Sequence, residues 1–187
     1  MKKRLLLLTG APDSGKTTVL VKTSEKLRAA GLRVGGMISN EVRAVGNRAG
    51  FEILDLQTGR KGWLAHVDQT AGPQIGKYHV NIGGLDNIGV EAILRALEGL
   101  DVVFVDELGL MELFSLRLRE AITKVFEGQK LAVCTVHWKM RDALIGNVTN
   151  REDTEVFTVT KENRDRLAEV INDKALDFLR AFRVDGF

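Results

Sequence analysis

A glycine-rich segment, GAPDSGKTT at residues 10–18, has the composition of a phosphate-binding turn. From Gly10 to Thr17 it matches the pattern G-x-x-x-x-G-K-[ST], and it lies between an apolar run and a helical pattern. The glycines let backbone N–H groups face a phosphate, and the helix N-terminus adds positive potential. Lys16 would then reach the outer phosphates of a nucleotide, and the Thr17 hydroxyl would bind Mg²⁺.

Two adjacent acids, Asp106 and Glu107, follow a second apolar run, VVFV at residues 102–105. Neighbouring carboxylates repel each other, and burying one of them without a cation is costly. In a P-loop protein a second apolar strand is expected beside the first, ending in an Asp that holds Mg²⁺ through water. This pattern predicts Asp106 as that ligand and Glu107 as the group that takes a proton from an attacking water. The alternative interpretation, a charged strand end in solvent, has more weight for Glu107 because spacing alone cannot aim a side chain.

The elements that must position these residues alternate between buried strands and helices, a pattern typical of a parallel sheet covered on both faces. The segment 40–84 is rich in glycine and reads as antiparallel hairpins inserted into that layout. We therefore predict an α/β, three-layer P-loop fold in one domain over residues 1–187, with a mainly parallel central sheet. The predicted strands cover residues 5–8, 33–39, 102–105, 130–136 and 155–160. The predicted helices begin near Lys16 and cover Gly89–Glu98, a segment around Leu118–Val125, and Lys161–Phe182.

Composition narrows the class of protein. The chain has 187 residues, of which 44% are hydrophobic and 28% are charged, as in an ordinary globular protein. Its net charge is only +2, so there is no electrostatic reason to expect a nucleic acid partner. The only cysteine, Cys134, lies in an apolar run, so a reducing cytoplasm is expected. The leucine run Leu5–Leu8 is shorter than the roughly 7–15 residues of a secretory signal, and no stretch reaches the roughly 18 apolar residues of a membrane span. We expect a cytoplasmic monomer.

Beyond the two motifs, the chain resembles the THEP1-type nucleoside-triphosphatase family. The likeness is carried by GAPDSGKTT, EVRAVGNRAGFEI, GPQIGKYHV and DELGLMELFS, with support from VFTVTKENRDRL near the C-terminus. The resemblance implies Mg²⁺-dependent hydrolysis of ATP, GTP and other nucleoside triphosphates to diphosphate and phosphate. It also assigns nucleotide contacts to two segments of this chain. Those residues are Gly10, Ala11, Pro12, Asp13, Ser14, Gly15, Lys16, Thr17, Thr18, Val102, Val103, Phe104, Val105, Asp106, Glu107, Leu108 and Gly109.

The chain departs from the family pattern at two places. An aromatic residue is expected near Met37–Ile38 and an acid near Asn40, and Asp13 stands where the family usually has glycine. Aspartate tolerates left-handed backbone geometry better than most residues, so we expect the loop to form, with an added negative charge beside the phosphates. Other residues that could approach a nucleotide each have a simpler explanation, such as a solvated charge or a turn. They are Arg43, Arg48, Lys77, Glu112, Arg117, Arg119, His137, Arg151 and the turn Thr160–Asn163. For Glu112 the simpler explanation is a position near the start of the helix after the acid pair, where a carboxylate favours the helix dipole.

The sequence is also compatible with two other functions. A small-molecule or nucleotide kinase could use the same core, although a kinase generally closes an arginine-rich lid over its acceptor. A nucleotide-switched interaction module could use segment 40–84 as its partner surface. The acid directly after Asp106 favours activation of water, and therefore hydrolysis.

Overall fold

The computed structural model describes residues 2–184 and contains one sheet of nine strands. The order of strands across the sheet is β5-β6-β4-β3-β2-β7-β8-β1-β9. The strands are β1 (Leu5–Thr9), β2 (Val34–Ala44), β3 (Asn47–Asp55), β4 (Lys61–His66), β5 (Gln74–Ile75), β6 (Tyr78–Val80), β7 (Val102–Leu108), β8 (Leu131–Val136) and β9 (Thr154–Thr158). The helices are α1 (Lys16–Ala29), α2 (Ile82–Gly84), α3 (Glu91–Gly99), α4 (Leu116–Glu127), α5 (Ala143–Thr149) and α6 (Arg164–Val184).

The neighbouring strands β2, β7, β8, β1 and β9 run parallel. The inner strands β7, β8 and β1 are buried on both faces. Leu5 and Leu7 pack in a core that includes residues of α3 and α4, whereas Leu6 and Leu8 pack in a second core with α1 and α6. Successive residues of a strand point to opposite faces, so an unbroken leucine run requires a helical layer on each side. This arrangement gives the three layers that the sequence predicts.

The antiparallel half of the sheet is built by segment 40–84. β2 continues to Ala44, turns into β3, and the hairpin is extended by β4, β6 and β5. These strands continue the central sheet beyond β2, so the sheet is mixed. The antiparallel hairpins predicted for segment 40–84 are therefore present, and their strands extend the main sheet.

One expectation about strand order is wrong. The strand carrying Asp106 was expected directly beside β1, whereas β8 lies between β7 and β1. β7 pairs instead with β2 on its other side, where Gly36 has φ 118° and an added Cβ would lie 1.9 Å from the Phe104 carbonyl oxygen. As a consequence, β8 can contribute side chains between the two predicted motifs.

Helix boundaries differ from the predictions at several points. The helix predicted to begin at Gly89 is already helical from Ile82, because the Asn81 side chain accepts a hydrogen bond of 2.8 Å from the Gly84 amide and a π-helical turn (Leu85–Val90) leads into α3. The last helix, predicted over Lys161–Phe182, begins at Arg164, and Phe182 near its end is 55% exposed. α5 was not anticipated.

Among residues 2–184, no helix is long and apolar enough to span a membrane.

Candidate active site

The predicted phosphate-binding turn joins β1 to α1 in a strongly curved backbone. Gly10, Asp13 and Gly15 have φ angles of 154°, 60° and 103°, so Asp13 adopts the left-handed geometry expected of it. An added Cβ at Gly10 would lie 2.5 Å from the carbonyl oxygen of Val159, the residue after β9. Glycine is thus required at this position by close packing as well as by backbone geometry.

Lys16 lies at the start of α1 with only 7% of its side chain exposed. Its Nζ donates to the carbonyl oxygens of Gly10 at 3.1 Å and Ala11 at 3.4 Å, and lies 3.5 Å from Oε2 of Glu107. The ammonium group is therefore held inside the turn, next to the second acid of β7.

Asp106 connects the two predicted motifs. Its Oδ2 accepts a hydrogen bond of 2.7 Å from the Thr17 hydroxyl, and its Oδ1 accepts one from the hydroxyl of Thr135 on β8. The residue is fully buried, and burial raises the pKa of Asp106 to about 6, with the charge of Glu107 acting in the same direction against the two hydroxyl hydrogen bonds. A carboxylate placed in this way is easier to ionise when a cation is bound beside it.

A cavity of about 520 Å³ opens in front of these residues. Glu107 lines it with 24% of its side chain exposed, and His137, which directly follows β8, lies on the same wall. The wall formed by β2 and β3 carries Glu41 and Arg48, which form an ion pair. The complete lining among residues 2–184 is Pro12, Asp13, Gly15, Lys16, Thr17, Thr18, Ser39, Glu41, Arg48, Phe51, Glu107, His137 and Arg164.

Glu112 has a different environment from the one predicted. It was expected to favour the dipole of the helix after β7, but it lies in a single 3₁₀ turn (Glu112–Phe114) ahead of α4 and is 5% exposed. Its Oε2 accepts a hydrogen bond of 3.1 Å from the Gly109 amide. Burial raises the pKa of Glu112 to about 8, and the nearby charges of Glu107 and Asp106 add to this effect. The side chain is therefore protonated at neutral pH.

The predicted nucleotide contacts fall into two groups. Most of the turn lines the cavity, while the Ser14 Oγ lies buried beneath it with no hydrogen-bond partner among residues 2–184. A buried hydroxyl without a partner is unusual, and a phosphate-binding turn is a place where a ligand can supply one. The strand side chains behave differently, because they are fully buried in the core. They are Val102, Val103, Phe104, Val105 and Leu108. Nucleotide contact by these residues stays a prediction.

The weaker candidates separate clearly by position. Arg48 and His137 line the cavity, whereas Arg117, Arg119 and Arg151 are paired elsewhere with Glu91, Asp142 and Asp153. Thr160 and Asn163 hydrogen-bond to each other and cap α6. Thr135 and Arg164 were not predicted from the sequence. The only signal for Thr135 is a polar residue inside a buried strand, and the only signal for Arg164 is a cation at a helix start.

The oxygen atoms of Thr17 and Asp106 fit a Mg²⁺ ion. Mg²⁺ is usually bound by one or two protein oxygens, with water and substrate phosphates completing the octahedron. The two oxygens lie 2.7 Å apart at the mouth of the turn. Residues 2–184 contain no cluster of three or more His, Cys, Asp or Glu side chains that could hold a metal without such a substrate.

Comparison with known proteins identifies the family to which the chain is similar. The NTPase family model matches residues 5–172. A nucleoside-triphosphatase THEP1 of Thermofilum pendens is 44% identical, covering 89% of this chain and 92% of the relative, and one of Methanothermobacter thermautotrophicus is 41% identical, covering 92% and 97%. The crystal structure of THEP1 from Aquifex aeolicus is similar with a TM-score of 0.80 at 28% identity, covering 89% of this chain and 96% of that one. A human cancer-related nucleoside triphosphatase has a TM-score of 0.75 at 32% identity, covering 90% and 95%.

Proposed function

Because the chain belongs to the NTPase family, we propose that it hydrolyses nucleoside triphosphates to diphosphate and phosphate, with Mg²⁺ and with broad base specificity. The relatives described above are named nucleoside-triphosphatases, which places the chain among hydrolases. The observation that carries the proposal is the hydrogen bond of 2.7 Å between Thr17 and Asp106, since it joins the phosphate-binding turn to the acidic strand.

The protein groups divide the chemistry between them. Backbone amides of the turn and the ammonium of Lys16 would hold the β- and γ-phosphates, and Lys16 would exchange its contacts with the loop carbonyls for phosphate oxygens. Thr17 and Asp106 would hold Mg²⁺, which when bound neutralises charge on the phosphate oxygens. Because hydrolysis is mainly a matter of positioning and charge stabilisation, these contacts would supply most of the rate enhancement.

Glu107 is the residue we assign to the attacking water. Its carboxylate lies 3.5 Å from the Lys16 ammonium, which would bind the γ-phosphate, so it faces the reacting end of the nucleotide. It would orient a water in line with the γ-phosphorus and accept its proton. Asp106 is fully buried and does not line the cavity, so Glu107 is the acid of β7 that can reach a water there.

Broad base specificity is supported by the chemistry of the outer cavity. Arg164, at the start of α6, lines the end of the cavity beside Gly15. A guanidinium group can stack on the face of any base, so it would add affinity without selecting one.

A cytoplasmic location is also part of the proposal. It is supported by Cys134, a single fully buried thiol of the kind expected in a reducing compartment.

The proposal is tested by measuring phosphate release from ATP, GTP, CTP and UTP, each with and without Mg²⁺. We expect release from all four at similar rates, and only with the metal. Lys16→Ala should abolish nucleotide binding, whereas Lys26→Ala, on the exposed part of the same helix, should leave it unchanged. Release that is independent of Mg²⁺, or binding that survives in Lys16→Ala, would contradict the proposal.

A further inference from the structure

A second cavity, of about 280 Å³, adjoins the nucleotide cavity. The two cavities share Ser39, Phe51, Glu107 and His137, so these residues form a common boundary. Lys16 approaches this boundary through Glu107. The reacting end of a bound triphosphate would therefore face the second cavity, while Arg164 and Pro12 belong to the first cavity alone.

The walls of the second cavity are mostly apolar. Phe51, Leu64 and Ile75 come from β3, β4 and β5, and Leu110 and Met111 come from the loop after β7. The hairpin strands β3, β4 and β5 thus provide one wall of this space, and the loop after β7 provides another. Leu110 is 65% exposed, which leaves a large apolar surface in contact with water at the cavity.

Hydrolysis alone gives no reason for such a space. One water molecule occupies about 30 Å³ in the liquid, so the cavity is roughly nine times larger than an attacking water requires. Apolar walls also hold water poorly, because ordered water needs several polar partners. The polar side chains that line the cavity lie at the boundary with the first cavity and in the loop after β7. They are Ser39, Glu107, Glu112 and His137. This combination is suited to an organic molecule with an apolar body and a polar end.

We propose that the second cavity is an acceptor subsite for a small, largely apolar molecule that carries a hydroxyl group, and that this hydroxyl can replace water as the acceptor of the γ-phosphoryl group. The inference rests on the proposed function of the nucleotide cavity. The hydroxyl oxygen forms a bond to the γ-phosphorus, the bond between that phosphorus and the β–γ bridging oxygen breaks, and Glu107 accepts the hydroxyl proton. The products are a nucleoside diphosphate and a phosphate monoester.

The test uses simple alcohols as probes, because each offers the same hydroxyl on a different apolar body. The full-length protein is incubated with ATP, Mg²⁺ and methanol, ethanol, propanol or butanol at the same dilute molar concentration. Phosphorus NMR then gives the ratio of alkyl phosphate to inorganic phosphate. An acceptor subsite should raise this ratio by about fourfold for each added methylene, the preference expected for burying a CH₂ group.

A matched pair of leucine variants links the preference to this cavity. Leu110→Asp places a charge on its wall and should remove most of the advantage of butanol over methanol. Leu116→Asp alters a similarly exposed leucine at the start of α4, outside the cavity, and should keep that advantage. Loss of the preference in both variants, or in neither, would assign it to something other than this cavity.

The outcomes separate this inference from the function on which it rests. If ADP forms but inorganic phosphate is the only other product, or if the ratio falls with alcohol size, the acceptor subsite is refuted and hydrolysis stands. If no ADP forms with water alone but alkyl phosphate forms with the alcohols, hydrolysis is refuted and the acceptor subsite stands; if neither product forms, both fail. A ratio that rises with chain length and falls in Leu110→Asp supports the subsite.

Discussion

The buried carboxyl of Glu112 should make the stability of the fold depend on pH in an unusual direction. Buried acids that are paired with cations normally have a lowered pKa, whereas burial raises the pKa of Glu112 to about 8. In the unfolded chain the pKa of this carboxyl is near its ordinary value of 4.5. Between these two values the native state binds more protons than the unfolded state, so stability falls as pH rises.

The magnitude follows from the separation between the two pKa values. Each pKa unit corresponds to about 1.4 kcal/mol, so ionisation of Glu112 in the unfolded chain removes on the order of 3 kcal/mol of unfolding free energy between pH 5 and pH 8. Glu112→Gln should remove this loss, because an amide has a similar shape, can still accept the hydrogen bond from Gly109 and does not titrate. Other titrating groups, including Asp106, are common to both proteins and cancel in the comparison.

The assay is urea unfolding of wild type and Glu112→Gln at intervals between pH 5 and pH 8. The variant should gain stability relative to wild type by about 3 kcal/mol across this range. Glu120→Gln, an exposed glutamate on α4, provides the control and should give a curve parallel to that of wild type. Parallel curves for Glu112→Gln and wild type would refute the assignment of a neutral, buried carboxyl at this position.

Three further substitutions test other parts of the arrangement. Thr135→Val removes a buried hydrogen bond to Asp106 and should lower the free energy of unfolding by about 1–3 kcal/mol, measured with urea. Phosphate release by this variant should require a higher Mg²⁺ concentration. Gly36→Ala should prevent folding or destabilise severely, seen as loss of a cooperative thermal transition, since its Cβ would lie 1.9 Å from the Phe104 carbonyl oxygen. Arg164→Ala should raise the Kd for every nucleoside triphosphate on the order of tenfold by titration, and an effect on one base only would contradict its proposed stacking role.

The parts of the site that the sequence predicts are those fixed by contiguous residues. The turn from Gly10 to Thr17 depends on local backbone geometry, so its motif predicts its shape. Asp106 and Glu107 follow from an apolar run that ends in acids, a pattern with few physical explanations. The family assignment was predicted from these and two further stretches, and it is confirmed by the match over residues 5–172.

The parts that the sequence does not predict depend on which elements become neighbours. Thr135 contacts Asp106 only because β8 lies between β1 and β7, and strand order cannot be derived from the apolar patterns themselves. Arg48 could only be named as one of several arginine candidates, and Arg164 was missed, because the directions of a hairpin and of a helix start are set by the complete sheet. The helix beginning at Ile82 was missed because Gly83 and Gly84 suggest a loop, and the Asn81 cap outweighs that tendency.

In the proposed mechanism, Glu107 faces the γ-phosphate and activates the attacking water. The most direct test is single-turnover phosphate release from ATP by Glu107→Gln, with nucleotide binding measured on the same preparation. We predict binding close to that of wild type and a rate of release lower by about 10²–10⁴-fold, the usual contribution of a general base. Turnover at the wild-type rate in a variant that binds ATP normally would show that Glu107 does not activate the attacking water.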